Sequence, residues 1–312
     1  MDIVGVGLNA TDTLIPVHEF PSSGAKVEFR SASRLPGGQV ASAMIACRHW
    51  GLAARYIGKL GDDAAAELHR AEFSRAGVET RLLHAAGCES QQSFILVEDS
   101  GERTVLWKRD DRLTIRPEEL QREWIVDARA LHLDGHDTAA ALCAAEWAQT
   151  AGIPVIADID KLYDGIEALL HRIDYLIVSR NVPGELTGFV DLGHALAEMH
   201  RRCGCRLAAA TLGHEGVLAW DGERYFYAAA YRVPVVDTTG AGDIFHAGFI
   251  FGLLQGWPTQ RILEFGCAAA AFNCLGLGAR GGIRAVHDIE ALIAHGEAYP
   301  ASDIASSLSI CI

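Results

Sequence analysis

The segment Asp237-Thr238-Thr239-Gly240-Ala241-Gly242-Asp243, followed by an apolar run, is where residue types and spacing point most directly to chemistry. Residues 231–236 read as a short extended segment entering a glycine-rich turn, and a helix is predicted from 242 to 255. Gly240 and Gly242 let the backbone turn sharply and approach a ligand closely. The first N–H groups of such a helix are unpaired and carry the positive end of its dipole. Gly240, Ala241 and Gly242 therefore offer an anion hole for phosphate or a developing oxyanion. Asp243 falls in the first helical turn, where a carboxylate can take a proton from an attacking hydroxyl while the turn holds a phosphoryl group. Acids also serve as simple caps at helix starts. The surrounding glycines and threonines make the catalytic reading the better one.

The full string D-T-T-G-A-G-D-x-F-x-A-G-F resembles the C-terminal signature of the ribokinase-like, phosphofructokinase-B type carbohydrate kinases. Other segments follow in that family's order. Gly7-Leu8-Asn9-Ala10-Thr11-Asp12 resembles the segment whose Asp holds sugar hydroxyls. Pro36-Gly37-Gly38 resembles the paired-glycine sugar contact, and residues 57–63 the G-x-x-G-x-D segment. Thr211-Leu212-Gly213-His214-Glu215-Gly216 resembles the nucleotide segment T-x-G-x-x-G, and Gly278-Ala279-Arg280-Gly281-Gly282 the late loop near nucleotide and a monovalent cation. The Asp237 signature is specific; the others persuade through their order.

The resemblance implies ATP-dependent phosphoryl transfer to a sugar hydroxyl, with Asp243 as base and magnesium on the nucleotide phosphates. It implies sugar contacts from Asp12, Gly37, Gly38, Asp134 and His136, and nucleotide contacts from Ser179, Thr211, Gly213, Gly216, Asn273 and Gly278. Asp237 and Thr239 would hold a monovalent cation such as potassium, although Asp237 reads equally well as a turn-forming residue. Two departures stand out. Ser42 occupies the place of a sugar-binding Asn. The magnesium-associated N-x-x-E is stretched in Asn181-Val182-Pro183-Gly184-Glu185, leaving Glu185 as the metal candidate. Two acids facing the sugar favour a neutral ketose or furanose. Lys26 points the other way, toward an anionic sugar derivative, and a nucleoside is a further alternative.

Two other classes compete with this one. Gly5-Val6-Gly7-Leu8-Asn9-Ala10 matches G-x-G-x-x-A, but a dinucleotide site needs a helix next, and 11–16 reads as strand or loop. A non-catalytic sugar-binding protein on the same fold is the other rival.

The elements that must position these residues alternate. Strands are expected at 2–8, 53–57, 130–133, 155–157, 175–178 and 207–211, and helices at 39–50, 62–76, 139–151 and 192–203. Helices also dominate the late part, at 242–255 and 259–274. This is an α/β chain, a three-layer α/β/α arrangement with a mainly parallel sheet. Residues 217–220 and 224–227 read as a hairpin. Two β-rich excursions, 11–35 (with a β-like 26–34) and 92–109, break the alternation, and the resemblance makes them a small lid over the sugar. The core is then 1–10, 36–91 and 110–300, with a tail at 301–312.

The chain has 312 residues, half of them hydrophobic, and a net charge of −13. That charge argues against a nucleic-acid surface. No apolar run reaches the ~18 residues of a membrane span, and the start shows no basic leader. Eight scattered cysteines and thirteen histidines show no metal-ligand or disulfide spacing. The expectation is a cytoplasmic enzyme with sugar and ATP as partners, and a homodimer formed through the lid.

Overall fold

The computed structural model describes residues 1–100 and 102–301. Strand β1 (Ile3–Val6) is followed by β2 (Ala10–Val17), β3 (Ser33–Gly37), helix α1 (Gln39–His49), β4 (Ala54–Leu60), α2 (Ala64–Ala76) and β5 (Glu79–His84). Next come β6 (Gln92–Glu98), β7 (Arg103–Lys108), β8 (Ala130–Leu133), α3 (Thr138–Thr150), β9 (Val155–Ile159), α4 (Ile166–Leu170), β10 (Tyr175–Ser179) and α5 (Val182–Thr187). The chain continues through α6 (Leu192–Cys203), β11 (Leu207–Thr211), β12 (Val217–Trp220), β13 (Tyr225–Ala228), α7 (Ala241–Leu254), α8 (Thr259–Asn273) and α9 (Val286–His295).

Nine strands form the main sheet in the order β13-β12-β11-β10-β9-β8-β1-β4-β5, parallel except for β12 and β13. Neighbouring strand residues face opposite sides, so each strand feeds two cores. Ile3, Tyr56, Ile156 and Ile177 pack under α1, α7 and α8, whereas Val4, Ile57, Val155 and Val178 pack under α3, α4 and α6. This is the three-layer α/β/α arrangement. No helix among the described residues is long and apolar enough to cross a membrane.

The second sheet, in the order β3-β2-β6-β7, is built from the two excursions. β2 pairs antiparallel with β3 and parallel with β6, and β6 pairs antiparallel with β7. One face carries Asp12, Ser93, Val105 and Trp107, and the other carries Phe94 and its register partner Leu106.

Several expectations require correction. Residues 26–32 form no strand, because Val27 and Phe29 are exposed and find no partner edge. β5 and α9 were not anticipated; β5 is a half-buried edge strand without clear alternation. Of the expected 301–312 tail, only Ala301 lies within the described residues.

Candidate active site

α7 begins at a turn that the sequence locks in place. Gly240 lies at φ 75°, a conformation side chains disfavour, and a Cβ there would overlap the backbone of Ala279. Asp237 is fully buried. Its Oδ1 accepts from the Thr239 N–H at 2.9 Å and its Oδ2 from the Gly278 N–H at 2.7 Å. Asn273 reinforces the same junction. Its Nδ2 donates to the carbonyls of Thr239 (3.0 Å) and Ala279 (3.2 Å), and its Oδ1 accepts from Gly282 N–H (3.3 Å). Asn273 is thus a brace between two loops, and its amide protons are not free for the nucleotide contact expected of it. Thr239 Oγ1 is buried without a hydrogen-bond partner.

This turn closes one end of a cleft of about 290 Å³ between core and lid. Thr239, Gly240 and Asp243 line it from the core, and Asp12 and Ser93 from the lid. Asp243 is half-buried. Burial pushes its carboxyl up, while the charges of Arg103 and Arg280 and a hydrogen bond from Ser42 pull it back. Asp12, 5% exposed, is pushed up to about 7 by burial, against a hydrogen bond with Ser93. Gly38, at φ 97°, lines the cleft where any side chain would strike the backbone of Leu8 and Asn9. Gly37 lies behind Asp12, and its carbonyl is held by Arg280 at 2.9 Å.

Three expected sugar contacts sit elsewhere. Asp134 is 1% exposed, and its carboxylate accepts the N–H groups of Leu8 and His136. It fastens β1 to the loop after β8 and does not line the cleft; burial pushes it up to about 7. Ser42 lies beneath the floor, accepting from Arg280 Nε at 3.2 Å. Arg280 is itself buried and ion-paired with Glu72. Lys26 is exposed in the segment between β2 and β3 and does not line the cleft.

The basic residues of the cleft are Arg103 and Lys161, neither of which was singled out from the sequence. Arg103 donates to Thr238 O at 2.8 Å and Oγ1 at 3.0 Å, bringing the lid against the turn before α7. Lys161 Nζ lies 5.5 Å from the Trp107 ring centroid and 4.9 Å from that of Tyr163. His136 does line the cleft, edge-on to both rings at 6.2 and 5.1 Å. Two signals could have found this group: the alternation of residues 103–109, and the position of Lys161 just past a parallel strand's carboxyl end.

Residues expected at the nucleotide sit at the carboxyl ends of neighbouring strands of the main sheet. Ser179 and Thr211 are register partners at the ends of β10 and β11, and Gly213 and Gly216 bracket the turn that follows. Gly278 is joined to Asp237 as described. The three metal candidates do not converge: Asp237 and Thr239 share the turn before α7, while Glu185 is exposed on α5. Among the described residues no three His, Cys, Asp or Glu side chains form a metal-binding group. The G-x-G-x-x-A segment runs into β2, not a helix, so it lacks the pyrophosphate seat of a dinucleotide fold.

A parallel α/β core, a glycine turn feeding a helix with Asp in its first turn, and a β lid facing that Asp define a sugar phosphotransferase of the ribokinase type. The chain belongs to the pfkB family of carbohydrate kinases, which it matches over residues 2–285, and it is an ATP-dependent sugar kinase. It is 28% identical over 289 residues to the acarbose 7(IV)-phosphotransferase of an Actinoplanes species, covering 88% of this chain and 92% of that one. It is 29% identical to the ATP-dependent ribose-1-phosphate kinase of Halopiger xanaduensis, with coverage of 86% and 90%. Among solved structures, a putative ribokinase from Agrobacterium tumefaciens superposes with a TM-score of 0.87 at 26% identity, covering 94% and 97%.

Proposed function

We propose that Asp243 is the general base of this kinase, accepting the proton of a sugar hydroxyl as it attacks the γ-phosphoryl group of ATP. The supporting observation is the place of Asp243: first turn of α7, on the cleft, beside a turn that Gly240 and Asp237 fix in shape. N–H groups of Gly240–Gly242 hold charge on the moving phosphoryl group, a mainly electrostatic contribution. Asp12 and Gly38 hold the acceptor's other hydroxyls. Ser179, Thr211, Gly213, Gly216 and Gly278 border the nucleotide.

Magnesium supplies charge neutralisation at the phosphates. The absence of a three-residue acidic group among the described residues suits an ion held chiefly by phosphate and water. The unpartnered Thr239 Oγ1 beside Asp237 suits a monovalent cation such as potassium. The acceptor is a small sugar with a primary hydroxyl, a ketose or furanose; the named relatives act on acarbose and on ribose 1-phosphate. Seven described cysteines are free, six of them buried, which suits a reducing cytoplasm. Pairing of two chains through the outer lid face completes this reading.

Asp243→Asn keeps the shape and a hydrogen-bonding group at the helix start but removes the base. Turnover should fall about 10²–10⁴-fold while ATP binding by calorimetry stays near wild type. Wild-type kcat in this variant would remove Asp243 from the mechanism.

A further inference from the structure

We propose that the acceptor carries an anionic group, a phosphate or a carboxylate, and that Lys161 on the core, with His136 and Trp107, forms the subsite that takes it. This rests on the sugar-kinase reading and names the substrate class for the same cleft.

The cleft has two chemically different ends. Arg103 and Trp107 lie four residues apart on β7, on the same face of the lid. At about 3.3 Å per residue they are separated by roughly 13 Å. Arg103 touches Thr238 at the phosphoryl-binding turn, whereas Trp107 meets Lys161 and His136. A bare monosaccharide placed against Asp243 leaves the far end unfilled; a sugar with a charged substituent reaches it.

The far end is built to receive an oxyanion. Among the described residues no carboxylate comes within 4 Å of the Lys161 ammonium, which instead lies over the faces of Trp107 and Tyr163. Neighbouring Asp160 is engaged by the Tyr163 hydroxyl at 2.8 Å. The nearby Arg109 is held by both oxygens of Asp137 at 2.8 Å. Both ring nitrogens of His136 are buried without a partner. Burial and the charge of Arg109 hold that ring neutral, pulled down to about 4, so it offers one N–H donor beside the ammonium. Two aromatic surfaces, Trp107 and Tyr163, flank the pair and fix where a charge-assisted hydrogen bond can form.

The like-charge objection to an anionic acceptor weakens on the same geometry. Asp134 lies outside the cleft with its oxygens on two backbone N–H groups. Asp12 is largely shielded by burial and hydrogen-bonded to Ser93. Asp243 and the half-engaged Asp160 are the carboxylates that remain.

The test is calorimetric binding of two matched probe pairs, ribose with ribose 1-phosphate and glucose with gluconate, to wild type, Lys161→Ala and Lys161→Arg. Lys161 is exposed, so both variants should keep the wild-type melting temperature. In at least one pair the wild type should bind the anion tenfold or more tightly than its neutral partner. Lys161→Ala should reduce that preference below twofold, and Lys161→Arg should restore most of it. Trp107→Ala, which leaves the ammonium in place, should weaken it partially. The pair that discriminates distinguishes phosphate from carboxylate. A wild type without preference in either pair, or a preference that survives Lys161→Ala, overturns the subsite. Release of ADP is followed separately. Tight anion binding with no ADP from any probe would sink the kinase reading alone. Turnover of a neutral sugar with KM unchanged in Lys161→Ala, and no anion preference, would sink the subsite alone.

Discussion

Asp12 and Asp134 both carry carboxyls raised to about 7, mainly by burial, yet they do different work. Asp134 has two N–H donors and no access to the cleft, so its role is to fasten backbone. Asp12 faces the cleft from the lid with Ser93 as its side-chain partner. A carboxyl that binds its proton more tightly folded than unfolded favours the folded state at low pH. Its contribution then declines as pH rises from about 4, the unfolded value, through about 7. Asp12→Asn is neutral throughout and nearly isosteric. It should therefore raise the melting temperature at pH 8, with a gain on the order of 1–4 kcal/mol, and the gain should shrink toward pH 4. The check is calorimetry of both proteins across that range. An equal gain at pH 4 and pH 8 would mean that packing, not protonation, sets the difference. KM for the sugar should rise in the same variant if Asp12 holds an acceptor hydroxyl as proposed, and an unchanged KM would take it out of that role.

At the scale of elements, the lid is a small four-stranded sheet that meets the core at separate points: Arg103 on Thr238, Trp107 on Lys161 and His136, Thr11 on His69, and Leu277 against the lid's own small apolar cluster. Such a sheet should open readily without ligand and close when the cleft is filled, shielding the phosphoryl group from water. Amide exchange in β2, β6 and β7 should slow when sugar and nucleotide are both present. Unchanged exchange there, with slowing confined to the α7 turn, would reject the lid role. The core strands were legible because their residues are mostly apolar and bounded by turns, and the α7 turn because glycine and acid at fixed spacing have few uses. The segment 26–32 misled because its alternation of apolar and polar residues mimics a strand while only Val27 and Phe29 offer large apolar surface. Lys161 and Trp107 were missed for a different reason: each carries a local signal, strand alternation or a strand end, but they lie far apart along the chain and only the fold brings them together. Ser42 and Asn273 fall in the region expected, but the contacts that occupy them, Arg280 and Asp243 for Ser42 and two loop carbonyls for Asn273, are properties of the assembled site.

On the scale of the whole molecule, the lid's two faces pose different problems. The inner face lines the cleft, where a ligand can cover Val105 and Trp107, but the outer face leaves Phe94 50% and Leu106 62% exposed as direct cross-strand partners. The neighbouring segment adds Phe20, Val27 and Phe29, each about half exposed. Apolar residues clustered on a small sheet favour burial against a second surface. A two-fold contact between identical lids would cover both copies with one self-complementary patch, while the net charge of −13 keeps the rest of the surface apart. Light scattering coupled to size exclusion should give twice the 33.6 kDa chain mass for the wild type. Leu106→Glu should give a monomer, since it places a charge in the middle of the apolar patch, yet it should keep its fold because the residue is exposed. Leu106 faces away from the cleft, so the monomer should still bind sugar, though a lid freed from its partner should raise KM more than it lowers kcat. A wild type that stays monomeric across micromolar concentrations would dismiss the contact, as would a Leu106→Glu dimer of unchanged stability.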